Sequence, residues 1–275
     1  MAVRTSIVSY GGGVNSVAVL VWLANHGVVP TAIVMADPGS ERRHTVYFRD
    51  VVLPPWLAAR GFPPVTVVNR IDEGQHVKRA WRLETLRDEC LRLKALPSVA
   101  YGWKKCSAKY KGDTQRWWVA RQPWAQAEWS AGFKIAKVIG YDGGEERRAL
   151  KAFQNAWENA RFEPWYPLYD ERIDREGCEA LILAAGLPLP GKSACTFCPN
   201  NKLEEWEQLR REEPDRFEEA VAMSRNAEVD SPDVVGFMRC NPHGKRQLHV
   251  WAEGGYEGGL GGRDDEEEMP CECVL

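Results

Sequence analysis

No run of about 18 uninterrupted apolar residues occurs in the 275-residue chain, so we expect no membrane-spanning helix and no membrane partner. The first residues lack a basic stretch followed by an apolar core and a small-residue cleavage site, so we expect no secretory signal peptide. The net charge is only −3 and by itself indicates no class of partner. Without a secretory signal, eight cysteines favour a cytoplasmic protein whose thiols serve metal binding or catalysis rather than disulfides.

Internal repeats are also absent, and the length suits one large domain or one domain with a small addition. Composition divides the chain into three predicted parts. We expect an α/β domain over residues 1–170, a helical, cysteine-containing region over 171–251, and a flexible, Gly-rich and acidic tail over 252–275 that ends in a CxC sequence.

The stretch Ser9–Ser16 predicts a phosphate-binding turn. It lies between a predicted strand at Ser6–Val8 and a predicted helix at Val17–Ala24. The glycines Gly11 to Gly13 let the backbone approach an anion, which the helix start stabilises. Asn15 or Ser16 could cap this helix or contact a phosphate oxygen. No lysine follows as in a Walker loop, and the GxGxxG spacing is missing, so a turn without a ligand is the alternative.

Three further apolar stretches predict strands, at Thr31–Ala36, Val65–Val68 and Lys134–Ile139. Because strands alternate with helical stretches, we expect a Rossmann-like, doubly wound and mostly parallel sheet. Asp37 and Glu41 follow the second strand and are expected beside the glycine loop, since ligands bind at the carboxyl ends of such strands. Alternatively, Asp37 only caps the following helix.

Residues 78–121 hold twelve Lys or Arg against four Asp or Glu, a local charge of +8, with six Trp or Tyr interleaved. Basic and stacking side chains together suit a polyanion, such as a nucleotide phosphate tail or a strand of tRNA or DNA. The alternative is a solvated helical face whose tryptophans turn into the core.

The sequence Cys195-Thr-Phe-Cys198 is the second strong feature, because a CxxC turn brings two thiolates to one metal or forms a redox pair. Further ligands could come from Cys106, Cys178, Cys240, Cys271 or Cys273. Lysines flank Cys106 and favour its thiolate. Cys90 is better explained as a small buried hydrophobe, and Cys178 also favours a core position.

Six blocks occur in an order that resembles one known family. They are Ser9–Ser16, Ala36–Glu41, Lys105–Lys111, Ile139–Arg147, Tyr166–Leu168, and Lys192–Pro199 with Trp206 behind it. Together they resemble the phosphoadenosine phosphosulfate reductase-like branch of the PP-loop ATP pyrophosphatase superfamily, in the form carried by phages and mobile elements. The chain departs from the pattern at Gly11, where many members carry Ser, and at Asn15, where many carry Asp. The resemblance implies a Rossmann-like α-hydrolase fold that binds ATP or a related adenine nucleotide.

The resemblance also implies site residues. Those expected to bind the nucleotide are Ser9, Gly11, Gly12, Gly13, Asn15, Ser16, Asp37, Gly39, Glu41, Gly140 and Arg147. Asp37 and Asp142 are candidate catalytic residues that could bind Mg²⁺. Relatives hold an iron–sulfur cluster on cysteines equivalent to Cys106, Cys195 and Cys198, with Cys271 and Cys273 as candidates to complete it. A 4Fe–4S cluster is expected on this resemblance, with a structural Zn²⁺ as the alternative.

Three functions stay open from the sequence. The first is adenylation of an acceptor for sulfur transfer with release of pyrophosphate, the acceptor being tRNA, DNA or a small molecule. The second is thiol-dependent reduction of an adenylyl sulfate to sulfite, with Cys273 as the candidate catalytic thiol. The third is a protein that binds a nucleotide or nucleic acid and holds a purely structural metal.

Overall fold

The computed structural model describes residues 5–78, 82–103, 105–151, 156–228, 236–237 and 247–254. The expectations for Cys240, Cys271, Cys273 and the tail beyond Gly254 fall outside these residues.

Within the described residues, five strands form one sheet in the order β3-β2-β1-β4-β5, and every pairing is parallel. The strands are β1 (Ser6–Ser9), β2 (Ala32–Asp37), β3 (Val65–Asn69), β4 (Ile135–Ile139) and β5 (Phe162–Trp165). The predicted parallel α/β architecture is therefore confirmed, with four strands within one residue of their predicted bounds. The fifth strand is not predicted from the sequence.

Helices surround the sheet. In chain order they are α1 (Val14–Asn25), α2 (Arg43–Tyr47), α3 (Leu53–Ala58), α4 (Arg70–Gly74), α5 (Leu86–Leu93), α6 (Lys105–Ser107), α7 (Asp113–Ala120), α8 (Pro123–Ser130), α9 (Glu146–Ala149), α10 (Ala156–Arg161), α11 (Pro167–Asp170), α12 (Arg175–Ala184), α13 (Leu203–Glu212), α14 (Pro214–Glu228) and α15 (Leu248–Ala252). Two π-helical turns interrupt them at Phe48–Val52 and Ala108–Gly112, and a 3₁₀ turn lies at Ser98–Tyr101.

Each face of the sheet packs against its own apolar core. Successive residues of a strand point to opposite faces, so Val8 joins a core with α1, α3 and α12, whereas Ile7 joins one with α7 and α8. Burial on both faces explains the nearly continuous apolar sequences of β1 and β2. Because helices cover both faces of the sheet, the loops at the carboxyl ends of the strands are the part of the sheet that is left to form a site.

A third core joins helices on both sides of the chain midpoint. Trp206, Phe217 and Phe237 pack there with residues of α5 and α14. In contrast, Cys178 and Ile182 of α12 pack with α1 in a core of the sheet, although α12 belongs to the predicted helical region 171–251. Asp174 caps α12 by accepting a hydrogen bond from the Gly177 amide at 2.8 Å.

None of the helices in the described part of the chain has both the length and the apolar character that crossing a bilayer requires.

Candidate functional site

The glycine loop lies where the winding of the sheet changes direction. It follows β1, whose neighbours are β2 on one side and β4 on the other. In open parallel sheets, the crevice beyond the carboxyl ends of two such strands is where ligands bind. Gly12 has φ +81, and a Cβ atom there would lie 2.6 Å from Thr45 Cγ2. Only glycine therefore fits this position without displacing its neighbour.

Helix α1 begins directly after the glycines. Gly13 is its N-cap residue, so no side chain caps the helix. Asn15 and Ser16 lie inside the first turn, and Ser16 Oγ donates to the Gly13 carbonyl at 2.8 Å. The prediction that Asn15 or Ser16 caps the helix is wrong, because the helix starts three residues earlier than its apolar run. The uncapped amide groups remain suited to an anion.

Asn15 instead binds two carboxylates that follow β4. Its side-chain amide donates to Asp142 Oδ2 at 2.9 Å and to Glu145 Oε2 at 3.0 Å. Asp142 Oδ1 also accepts from the Gly144 amide at 2.9 Å, which fixes the carboxylate. Gly140 makes this approach possible, because an added Cβ atom would collide with the Asn15 carbonyl. The structure thus brings together Asn15, Gly140 and Asp142, three of the residues that the resemblance implies for the site.

Ser9 points away from the loop. Its hydroxyl is buried and donates to Gln115 Oε1 at 2.6 Å, and the Gln115 amide donates to the Val34 carbonyl at 3.3 Å.

Arg147 lies exposed on α9.

Asp37 and Gly39 line a cleft at the carboxyl ends of β2 and β3. The Gly39 amide donates to Asp37 Oδ1 at 2.7 Å and closes a tight turn. The cleft has a volume of about 260 Å³ and is lined also by Pro38, Asn69, Arg70, Ile71, Asp72, Glu84, Thr85 and Tyr110. This cleft lies on the same edge of the sheet as the glycine loop.

Glu41 is buried and forms an ion pair with Lys111, the two side chains being 3.0 Å apart. Burial alone would lower the pKa of the Lys111 ammonium. The charge and hydrogen bond of Glu41, with the neighbouring Cys195 and Cys198, instead raise this pKa. Glu41 also forms an isolated antiparallel bridge with Cys195. The pair therefore lies between the sheet and the CxxC turn.

Three of the predicted ligand cysteines share one locality. The Cys198 amide donates to the Cys195 carbonyl at 3.0 Å, which forms the CxxC turn. Burial raises the pKa of both thiols, and Cys106 is close enough to add to this effect in each. Within the described residues, however, no group of three or more His, Cys, Asp or Glu side chains is arranged to hold a metal ion.

The other two described cysteines are core residues, as their sequence context favours. Cys90 and Cys178 are buried, and burial raises the pKa of each thiol to about 12.

The fold neutralises part of the charge of the basic stretch 78–121. Six of its cations pair with carboxylates, most of them from other segments: Arg87 with Glu219, Arg92 with Glu84, Lys109 with Glu89, Lys111 with Glu41, Arg116 with Glu158, and Arg121 with Glu73. Tyr110 is buried, whereas Trp103 remains 65% exposed. Arg79, Trp81 and Lys104 lie outside the described residues. The local charge counted from the sequence is therefore a poor guide to the charge that this stretch exposes.

Sequence reasoning missed several neighbours of the glycine loop. Ser193, two residues before the CxxC turn, donates through its hydroxyl to the Gly11 carbonyl. Thr45 packs against Gly12 from α2. Ser193 belongs to a recognised block, but neither residue carries a local pattern that indicates this contact.

No protein-family model matches the chain, and no curated protein matches it.

Proposed function

We propose that the chain is an adenine-nucleotide-dependent enzyme of the phosphoadenosine phosphosulfate reductase-like kind, with a doubly wound sheet and a C-terminal, cysteine-containing helical region. Its proposed reaction is adenylation of an acceptor for sulfur transfer, with release of pyrophosphate. The observation that carries this proposal is the position of Gly11–Gly13, between β1 and an uncapped α1 at the change of winding direction.

The proposed reaction needs a site for a leaving anion. An acceptor oxygen attacks the α-phosphorus of ATP, the bond to the bridging oxygen breaks, and pyrophosphate leaves. The amide groups at the start of α1 and the helix dipole would stabilise the charge of this leaving group. A hydrosulfide-level sulfur nucleophile then attacks the adenylated carbon, so that a C–S bond forms as the C–O bond to AMP breaks and AMP leaves. The cleft beside Asp37 is the proposed place for the nucleoside or the acceptor.

Asp37 and Asp142 would hold Mg²⁺, whose role is to neutralise phosphate charge. The donor set fits, because carboxylate oxygens are the ligands that Mg²⁺ prefers. Asp142 uses each of its oxygens in one hydrogen bond, and a carboxylate oxygen has capacity for a second partner.

Cys106, Cys195 and Cys198 would hold the proposed 4Fe–4S cluster or Zn²⁺. Their thiols fit in kind, since the half-buried Cys195 and the buried Cys198 lie in one turn beside Lys111, and each is close to Cys106. The fourth ligand would come from Cys271 or Cys273, outside the described residues. Such a centre supplies either electron transfer or structural cross-linking. Lys111 would keep a positive charge beside these sulfurs.

The nucleotide half of the proposal is tested by calorimetric titration of the full chain with ATP and Mg²⁺, followed by Gly13→Ala. A Cβ atom at Gly13 meets Ser193 Cβ only at 3.7 Å, so the fold accommodates it. We expect an unchanged melting temperature and ATP binding that is weaker by about tenfold, because the methyl group crowds the anion. Unchanged ATP affinity in Gly13→Ala would remove the loop from the site.

The catalytic half is tested by release of AMP and pyrophosphate with candidate acceptors, and the metal by anaerobic purification with iron, sulfide and zinc analysis. Cys195→Ser should lose the metal and keep ATP binding. Sulfite release from an adenylyl sulfate that disappears in Cys273→Ser would favour the reductase alternative. A colourless protein with one zinc would discard the redox centre.

A further inference from the structure

Three buried polar groups without hydrogen-bond partners belong to residues at or near the glycine loop. They are Tyr10 Oη, Thr45 Oγ1 and Arg49 Nη1. Tyr10 directly precedes the glycines, and the methyl group of Thr45 lies against Gly12. Tyr10 and Thr45 are each only 1% exposed. Since buried polar groups nearly always have a partner, these groups leave hydrogen-bonding capacity for a polar ligand.

Arg49 is the only cation among these three groups, and one nitrogen of its guanidinium group has no hydrogen-bond partner. It lies in the π-helical turn Phe48–Val52, and its side chain is 11% exposed. Nε and Nη2 donate to the two oxygens of Asp50, at 2.6 Å and 2.7 Å. Nη1, on the far side of the guanidinium group, is buried and unpartnered. Half of the guanidinium group is thus fixed by Asp50, and the other half is held in place to donate.

Arg49 lies near the glycine loop, because it follows Thr45 by four residues, about one helical turn, and the methyl group of Thr45 lies against Gly12. The hydrogen bond that Arg49 donates to Asp50 raises the pKa of Arg49 against the effect of burial, and the charges of Asp37 and Glu41 add to this. The charge of Arg49 in turn lowers the pKa of Tyr10, although burial raises that pKa more. The guanidinium group therefore stays a cation close to residues that follow β1 and β2.

We propose that Arg49, through Nη1 and with the hydroxyl of Thr45 beside it, binds the terminal phosphates of the nucleotide held by Gly11–Gly13. This inference rests on the proposed function and names a residue that the sequence pattern did not indicate. A phosphate oxygen at Nη1 makes a charge-assisted hydrogen bond, which is stronger than one between neutral groups. Magnesium on Asp37 would offset the repulsion between that carboxylate and the phosphates.

The test compares Arg49→Gln with two matched controls by calorimetry, using pyrophosphate, ATP and AMP as separate probes. Arg43→Gln removes the same charge from an exposed arginine that pairs with Asp215 at 2.5 Å. Arg211→Gln removes the same charge from an exposed arginine that, like Arg49, pairs with the carboxylate of the next residue, Glu212, at 3.0 Å. We expect Arg49→Gln to weaken pyrophosphate and ATP binding by roughly 10- to 100-fold and AMP binding much less, with both controls within about twofold.

The outcomes separate this inference from the proposed function. If Arg49→Gln binds pyrophosphate and ATP as the parent chain does, the role of Arg49 is overturned and the nucleotide site stands. If the parent chain binds pyrophosphate through Arg49 but no adenine nucleotide, the proposed function fails and the anion site stands. If the parent chain binds neither pyrophosphate nor an adenine nucleotide, the role of Arg49 and the proposed function are both overturned. Arg49→Lys, which keeps the charge, covers the case in which Arg49→Gln does not fold.

Discussion

The side-chain amide of Asn15 donates to Asp142 and Glu145 together, at 2.9 Å and 3.0 Å. An asparagine at this position therefore joins the first turn of α1 to the end of β4 by two charge-assisted hydrogen bonds. An aspartate would instead place a third carboxylate between two others. The presence of asparagine rather than aspartate at residue 15 thus has a physical explanation in its own neighbours.

Asn15→Asp should consequently destabilise the fold more than Asn15→Ala does. Alanine loses the hydrogen bonds, at a cost of about 1–3 kcal/mol, whereas aspartate adds repulsion to that loss. Urea unfolding of both variants at low and high salt measures the difference. We expect high salt to narrow it, because salt screens the repulsion. An aspartate variant as stable as the parent chain would contradict this account.

Gly12→Ala should lower the free energy of unfolding by about 2–4 kcal/mol, because it combines a positive φ with a collision against Thr45. Gly27→Ala is the matched control, since Gly27 has φ +65 but no heavy atom within 4 Å of an added Cβ. Its loss, about 1–2 kcal/mol, measures the backbone strain alone. Thermal and urea unfolding of both variants give the comparison, and equal losses would show that Thr45 does not constrain the loop.

The buried pair of Lys137 and Glu158 gives a third prediction. Lys137 Nζ lies 3.2 Å from Glu158 Oε1 in the core between β4 and α10, and Arg116 is 3.5 Å from the same carboxylate. Removing one partner leaves a buried charge, so Glu158→Gln should cost about 3–5 kcal/mol. Lys137→Met combined with Glu158→Leu should cost much less, because no charge is left buried.

Burial lowers the pKa of Lys137 from its ordinary value of 10.5. The unfolded chain therefore binds more protons than the folded chain below pH 10.5, and stability from this group rises with pH. The deficit of Glu158→Gln should accordingly shrink between pH 7.5 and pH 10, as measured by urea unfolding. A deficit that is constant with pH would mean that Lys137 stays charged.

Cys178 gives a pH dependence of the opposite sign. Burial raises the pKa of its thiol from 9.0 to about 12, so the folded chain keeps a proton that the unfolded chain loses. This contribution is fully present below pH 9 and is lost as the pH rises towards 12. The parent chain should exceed Cys178→Ala in stability by about 1 kcal/mol at pH 7.5, because alanine leaves a small cavity. That advantage should disappear by about pH 10, and its persistence there would argue against a buried neutral thiol.

The sequence supports prediction of β1 to β4 because each is a short apolar run that ends in polar or glycine residues. It also supports the position of Asp142 beside the loop, since both follow central strands of a parallel sheet. The orientation of Ser9 was accessible too, because alternation along β1 places it on the face of Ile7 rather than on that of Val8.

Other features depend on contacts between distant segments. Strand β5 contains Pro164 and is only four residues long, and such a sequence is accepted because β5 lies at the edge of the sheet. Lys111, in the basic stretch 78–121, is neutralised by Glu41, which lies far away in the sequence in the loop after β2. The unpartnered Nη1 of Arg49 depends on a π-helical turn, which no local pattern in the sequence indicates.

The bridge between Glu41 and Cys195 has a consequence for the order of assembly. It joins a loop of the sheet to a turn far along the chain, so both ends must be in place before the contact forms. Contacts of long sequence separation carry a large closure entropy and form late in folding. The CxxC turn is therefore held against the sheet only after the strands around Glu41 have assembled.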